Sequence, residues 1–215
     1  MITNLRRGIA ATALAFAVLA PATPAHADEY TLTEAITSLP IAEEIRDGYK
    51  RELYPHWKDD DKNGCPARSD VLIAEAIEAP TVGANCTLTG GVWHSYYDDV
   101  LVQGPAGVDI DHMVPLAEVH DSGGYGWTTE RRRRYANDLG SDVTLVGVTA
   151  RSNRQKSDQD PATWMPAPQV HCRYIGEWVA TKHRWSLAVD QAEREALLRY
   201  AANCPNATLA FEQAS

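Results

Sequence analysis

Two short strings carry the chemistry that this chain could do. The first is Asp109-Ile110-Asp111-His112-Met113-Val114-Pro115-Leu116, and the second, some forty residues later, is Ser152-Asn153-Arg154-Gln155-Lys156-Ser157-Asp158. Hydrolysis of a phosphodiester needs an activated water, a sink for phosphate charge and help for the departing oxygen. A histidine whose pKa lies near neutrality suits the first task. A hard divalent cation on one or two oxygen ligands suits the others, because it keeps open positions for water and phosphate. Asp111 offers an anionic oxygen, Asn153 a neutral amide oxygen and His112 a base.

The spacing also sets a geometric condition. Neighbouring residues of a strand point to opposite faces. Asp111 and His112 therefore share a site only where the backbone leaves regular β geometry. If the strand stays straight, Asp109 and Asp111 share one face and His112 turns away. Pro115 marks the strand's end, since it donates no ladder hydrogen bond.

The elements that must position these groups are legible in outline. Ile41, Ile45, Tyr49 and Leu53 recur at helical spacing after Pro40 and predict an amphipathic helix. Ser69-Asp70 opens a short helix. From Cys86 to Leu116 the texture is β-prone, broken by Gly90-Gly91, Asp98-Asp99 and Gly104-Pro105-Ala106-Gly107. Thr128 is an N-cap for a helix reaching Asn137, and Val143 to Val148 is an apolar strand. Asp190-Gln191-Ala192-Glu193 reads as a capping box opening the last helix. Tyr174, Trp178 and Trp185 fall near one helical face, and Trp164 and Trp178 are read as core aromatics. The expected fold class is α+β, one domain with a small β-hairpin/helix core surrounded by helices.

Composition bounds the setting. Arg6 and Arg7, the apolar run from Gly8 to Ala20 and Ala25-His26-Ala27 read as a signal peptide over residues 1–27, leaving a mature domain at 28–215. The apolar run falls short of the roughly 20 residues that span a bilayer. The expectation is a secreted, extracellular protein without membrane attachment, acting as a monomer with no obligatory protein partner. Outside the cytosol, the four cysteines predict two disulfides. Of three pairings, Cys65–Cys86 and Cys172–Cys204 link neighbouring elements and leave the motif uncrossed. No C-x-x-C favours zinc, and no H-E-x-x-H or G-x-S-x-G favours a protease. Net charge is −9, and loss of Arg6 and Arg7 takes it to −11, so a phosphate backbone is repelled at long range. Nucleic acid would have to be held locally. Arg131-Arg132-Arg133-Arg134 is either a phosphate track or a salt-bridged helix face.

The strings resemble a known family. Asp111-His112-Met113-Val114-Pro115, the strand Leu145-Val146-Gly147-Val148 and Asn153-Arg154-Gln155-Lys156-Ser157-Asp158 are similar to an HNH endonuclease site of the ββα-metal type, with a motif core at about 107–166. The D-H-x-V-P and N-R-x-K-S-D strings also occur in the HNH domain of RNA-guided CRISPR nucleases. Tyr135-Ala136-Asn137-Asp138-Leu139, Asp158-Gln159-Asp160-Pro161 and Trp164-Met165-Pro166 extend the likeness to secreted HNH proteins related to the C-terminal domain of GmrSD-type restriction enzymes. The resemblance implies a metal-dependent endonuclease cutting nucleic acid, DNA foremost, with little sequence specificity. It implies His112 as general base, Asp111 and Asn153 as ligands of a divalent cation (Mg2+, with Mn2+ as substitute), and Arg154 and Lys156 as braces for the substrate backbone. The family's usual middle Asn is missing: Thr144 lies near its place, and Asn137 and Asp142 are the substitutes at hand.

A second metal motif lies upstream. Asp59, Asp61, Asn63, Gly64 and Asp70 fit a calcium-loop pattern, with Asp in place of the final Glu. It supports a competing reading, a catalytically silent calcium-dependent extracellular binding module built on the Asp59–Asp70 loop.

Overall fold

The computed structural model describes residues 29–214, so the signal-peptide expectation for residues 1–27 lies outside them. The strands are β1 (Tyr30–Thr31), β2 (Thr81–Val82), β3 (Leu88–Thr89), β4 (Val92–Ser95), β5 (Val100–Gln103), β6 (Val108–His112), β7 (Leu145–Thr149) and β8 (Thr208–Leu209). The helices are α1 (Leu32–Ser38), α2 (Ala67–Ala74), α3 (Leu116–Asp121), α4 (Thr129–Ala136), α5 (Ala150–Lys156), α6 (His171–Arg184) and α7 (Gln191–Ala201). Among the described residues all four sheets are two-stranded and antiparallel, and with the helices they make an α+β fold.

The β6–β7 ladder is the centre of the arrangement. It pairs Val108 with Thr149, Asp109 with Val148, Ile110 with Gly147, Asp111 with Val146 and His112 with Leu145. Alternation then divides the residues between two apolar layers. Val108, Ile110 and Leu145 pack with Val71, Leu72 and Trp93, whereas Met113, Val146 and Val148 join the larger core with Tyr174, Trp178 and Val179. The ladder thus separates a small core under α2 from a large one under α6. Thr149 closes β7 and starts α5, its hydroxyl accepting from the Ser152 N–H.

Local signals were mostly realised. Thr128 caps α4, accepting from the Arg131 N–H, and Asp190 caps α7, accepting from the Glu193 N–H. Both expected disulfides, Cys65–Cys86 and Cys172–Cys204, are formed. Trp178 is fully buried and Trp164 packs against the same core.

The helix expected across Ile41, Ile45, Tyr49 and Leu53 is absent. Residues 42–46 have no regular structure, and only Arg51–Leu53 make a single 3-10 turn. Tertiary hydrogen bonds replace the helical ones: Ala42 N–H donates to Val189, and Ile45 N–H donates to Asp121. Ile41 and Ile45 remain exposed, so their spacing never meets a core. Periodicity without a face to bury against does not hold a helix.

Candidate active site

The site is built on β6, β7 and α5, where a strand carrying acids lies under a short helix carrying Asn153. Asp98 fixes that helix. Its carboxylate accepts from Thr149 Oγ1 at 2.7 Å and Ser152 Oγ at 2.9 Å, and from Ser95 Oγ at 2.6 Å. Burial opposes the charged form, but these hydrogen bonds prevail and hold its pKa below the usual value. In the sequence Asp98 looked only like a turn residue.

β6 is straight through His112. Asp109 and Asp111 therefore share the face under α5, and on α5 Asn153 and Lys156, three residues apart, project to that same face. Two rungs result. In the outer rung the Asn153 amide nitrogen lies 3.4 Å from Asp109 Oδ2, and Arg154 Nε lies 4.0 Å from the same oxygen. Arg154 is largely exposed there, with 79% of its side chain accessible. In the inner rung Lys156 Nζ lies 2.5 Å from Asp111 Oδ2, which also accepts from Tyr97 Oη at 2.7 Å. The remaining Lys156 protons go to the His112 and Met113 carbonyls, both at 2.9 Å.

The inner rung corrects the expectation for Lys156. Its side chain has no accessible surface and all three donors are taken, so it cannot brace a substrate. Its work is to neutralise Asp111, which is itself buried. Burial pulls the Lys156 pKa down and the Asp111 pKa up, and their mutual attraction pulls each part of the way back. Asn153, expected beside Asp111, meets Asp109 instead, because a straight strand and a helical three-residue step pair 109 with 153 and 111 with 156.

His112 stands on the opposite face. Its Nε2–H donates to the Ala136 carbonyl at 3.0 Å, which leaves Nδ1 with the free lone pair. Trp57 stacks on the ring at 5.3 Å between centroids, Tyr135 lies on it at 6.0 Å, and His56 meets it edge-on at 6.4 Å. Burial pushes the imidazole pKa down to about 3, against the help of the Ala136 carbonyl. The ring is neutral throughout the physiological range.

The acceptor that holds the His112 ring is that backbone carbonyl, and not Thr144, Asn137 or Asp142. Asn137 acts next door: its amide donates to the Pro55 and Arg133 carbonyls and accepts from Lys58 N–H, clamping the segment that carries His56 and Trp57. A main-chain acceptor leaves no residue-type signal, so the sequence could not have named it.

The arginine run is a helix face engaged with protein acceptors. Arg131 donates to the Trp185 carbonyl and lies over Trp127, Arg132 donates to the Gly124 and Tyr125 carbonyls, and Arg133 pairs with Asp60 and Glu130. A cavity of about 580 Å³ lies along the outer edge of β7, lined by Glu75, Tyr96 and Arg173 among others, but it includes neither Asp109 nor Asn153.

The upstream loop gathers its acids around Asn63. The Asn63 amide donates to Asp61 at 2.9 Å and to Asp70 at 3.0 Å, and Asp59 accepts from Gly64 N–H at 3.1 Å. Asp70 Oδ2 is buried without a hydrogen-bond partner.

No helix among the described residues is long and apolar enough to cross a membrane. The family described as GmrSD restriction endonucleases, C-terminal domain, matches residues 54–200, which include both strings and the whole β6–β7–α5 unit. The chain is also 35% identical over 185 residues to an "Uncharacterized secreted protein" of Arthroderma benhamiae, covering 86% of this chain and 88% of that one. No solved structure matches it. With its acids and amide on a strand–strand–helix unit inside the matched region, the chain belongs to the GmrSD restriction endonuclease C-terminal domain family.

Proposed function

We propose that the protein is an exported endonuclease that hydrolyses phosphodiester bonds of nucleic acid, with DNA as the foremost substrate and Mg2+ or Mn2+ as cofactor. The outer rung carries this reading: Asp109 and Asn153 meet at the accessible edge of the ββα unit, with Arg154 beside them. Their chemistry fits a hard cation. The amide turns its nitrogen to a bare carboxylate, and a half-turn presents Oδ1, so both residues can offer oxygen to one ion. Once bound, such an ion would supply charge stabilisation for the phosphate and the departing oxygen.

The chain's own groups divide the remaining work. Arg154 offers its guanidinium to the phosphate. Lys156 cancels the charge of Asp111, the ligand implied by family resemblance, and holds α5 on β6, so Asp109 takes the ligand role and Asp111 positions the helix. His112 offers Nδ1 to a water proton, a role that needs the ring released from the burial that holds its pKa down at about 3. It stands across the strand from the outer rung, so acting on the same phosphate requires the strand end to turn and the Tyr54–Lys58 segment to lift away. The sequence's signal-like start and the secreted relative support export.

Plasmid cleavage with Mg2+ or Mn2+ tests the reading. Asp109→Asn, Asn153→Ala and His112→Ala are each expected to slow cleavage, the last by about 10²–10⁴-fold. Cleavage that persists with chelator, and in both outer-rung variants, would overturn the metal site. Full activity in His112→Ala alone would remove the base and leave the rung.

A second reading rests on the unpartnered Asp70 Oδ2: a calcium ion in the Asp59, Asp61, Asn63 and Asp70 loop, stabilising an extracellular binding module. An inactive protein whose folding depends on that loop would favour it.

A further inference from the structure

The first turn of α2 brings to the outer rung an arginine that neither motif string contains. Arg68 Nη2 donates to the Val108 carbonyl at 2.8 Å. That carbonyl belongs to the peptide bond whose nitrogen is that of Asp109, so the guanidinium stands one peptide unit from the outer-rung acid. Among the described residues β6 pairs with β7 alone, which leaves its other edge open. The ladder turns the Met113 N–H to Thr144, and alternation then turns the Val108 carbonyl to that open edge.

The bond to Val108 explains where this head group rests, but not why it is charged, since a carbonyl asks only for a donor. Arg68 is the second residue of α2, where the helix dipole disfavours a cation. Acidic residues outnumber lysine and arginine by 29 to 20 in this chain. Even so, among the described residues Arg68 makes no ion pair, and the carboxylate two residues on, Asp70, receives Asn63 instead. The other four guanidinium donors of half-buried Arg68 meet no protein acceptor among the described residues.

Arg154 approaches the same acid from α5, with its Nε 4.0 Å from Asp109 Oδ2. Asp109 is thus bordered by two guanidinium groups, one at the edge of β6 and one from the helix over its face. An acidic protein repels a phosphate backbone at long range, so cations placed at the site itself must hold it. A nucleic-acid strand carries one phosphate per nucleotide. A strand with one phosphate at the rung therefore offers the next to a cation beside it. The planar arginine fork suits that group, taking two phosphate oxygens through parallel N–H bonds.

We propose that Arg68 holds the backbone phosphate next to the one at the Asp109–Asn153 rung, so that the substrate strand crosses β6 between α2 and α5. The inference rests on the nuclease reading and adds to it a substrate-binding residue from outside both strings. The Val108 carbonyl holds the fork in place before the substrate arrives, which lowers the cost of ordering it.

The test uses the full mature chain and a fluorescein-labelled DNA duplex. Anisotropy over a KCl series in chelator gives the salt dependence of binding, and plasmid cleavage with Mg2+ gives KM and kcat. Arg68→Gln keeps a donor for the Val108 carbonyl and removes the charge. It is expected to flatten the log–log salt dependence by about 0.9, and by about 1.8 together with Arg154→Ala. KM should rise about tenfold, the weight of one charge-assisted hydrogen bond, with kcat unchanged. Arg68→Lys, which keeps the charge, should restore the salt dependence. Arg199→Ala, exposed on α7, should alter neither quantity. Wild-type salt dependence and KM in Arg68→Gln, in a chain that still cuts plasmid, overturn this proposal alone. A salt dependence that Arg68→Lys does not restore also overturns it, because the role would then be structural. A wild-type chain that neither binds nor cuts nucleic acid removes the nuclease reading and this inference with it.

Discussion

Replacing Lys156 by Met tests whether this residue is a structural counter-ion or a substrate contact. The substitution keeps most of the side-chain volume and removes the ammonium. Asp111 would then retain Tyr97 Oη as its hydrogen-bond donor while remaining buried, and the His112 and Met113 carbonyls would each lose a donor. Breaking a buried pair from one side costs about 3–5 kcal/mol, most of it the uncompensated charge. In a domain of this size each kcal/mol moves Tm by about 2–4 °C, so a fall of roughly 6–20 °C is expected by circular dichroism. Asp111→Asn in the same chain should recover a large part of that loss, because it removes the stranded charge. A double-mutant cycle over the two positions measures the coupling directly. A single-variant loss below about 1 kcal/mol, or a double variant no better than Lys156→Met, would refute the inner rung.

Arg154→Ala is expected to weaken nucleic-acid binding and flatten its log–log salt dependence by about 0.9 for duplex, with little change in Tm; fluorescence anisotropy over a salt series measures it. For His112, the folded-state pKa of about 3 lies below the unfolded value near 6.5, so the unfolded chain binds the proton first. Its contribution to stability is therefore complete above pH 6.5 and lost as pH falls toward 3. His112→Phe should narrow the Tm gap between pH 7 and pH 4, and an unchanged gap would show that the ring is not buried neutral. Trapping Cys172 and Cys204 reduced, by Cys172→Ser with Cys204→Ser, opens a loop spanning 32 residues. The expected loss is about 3–4 kcal/mol in urea unfolding, with cleavage by the folded fraction unchanged.

Much of the fold was readable because its signals are local. Thr128 and Asp190 cap helices through side-chain oxygens that reach only three residues ahead, so their types and offsets suffice. The cysteine pairing could be chosen from chain order, and the apolar residues of β7 announced a buried strand. The Ile41–Leu53 helix failed for the opposite reason. Its residues have helical spacing, but Val189 and Asp121 claim the backbone, and no sequence window contains those partners.

By itself the sequence determined the chemical vocabulary of the site: acids at Asp109 and Asp111, an imidazole at His112, an amide at Asn153 and cations at Arg154 and Lys156. It also determined the alternation that makes Asp109 and Asp111 face together. Tertiary structure decided which acid meets which helical residue. A straight β6 under α5 pairs Asn153 with Asp109 and buries Lys156 on Asp111, and it turns His112 to the Ala136 carbonyl. Residue type fixes what a group can donate or accept, whereas the strand's path and the helix's placement fix which partner is within reach. Those two quantities are set by packing on both faces of the ladder, by residues distant along the chain.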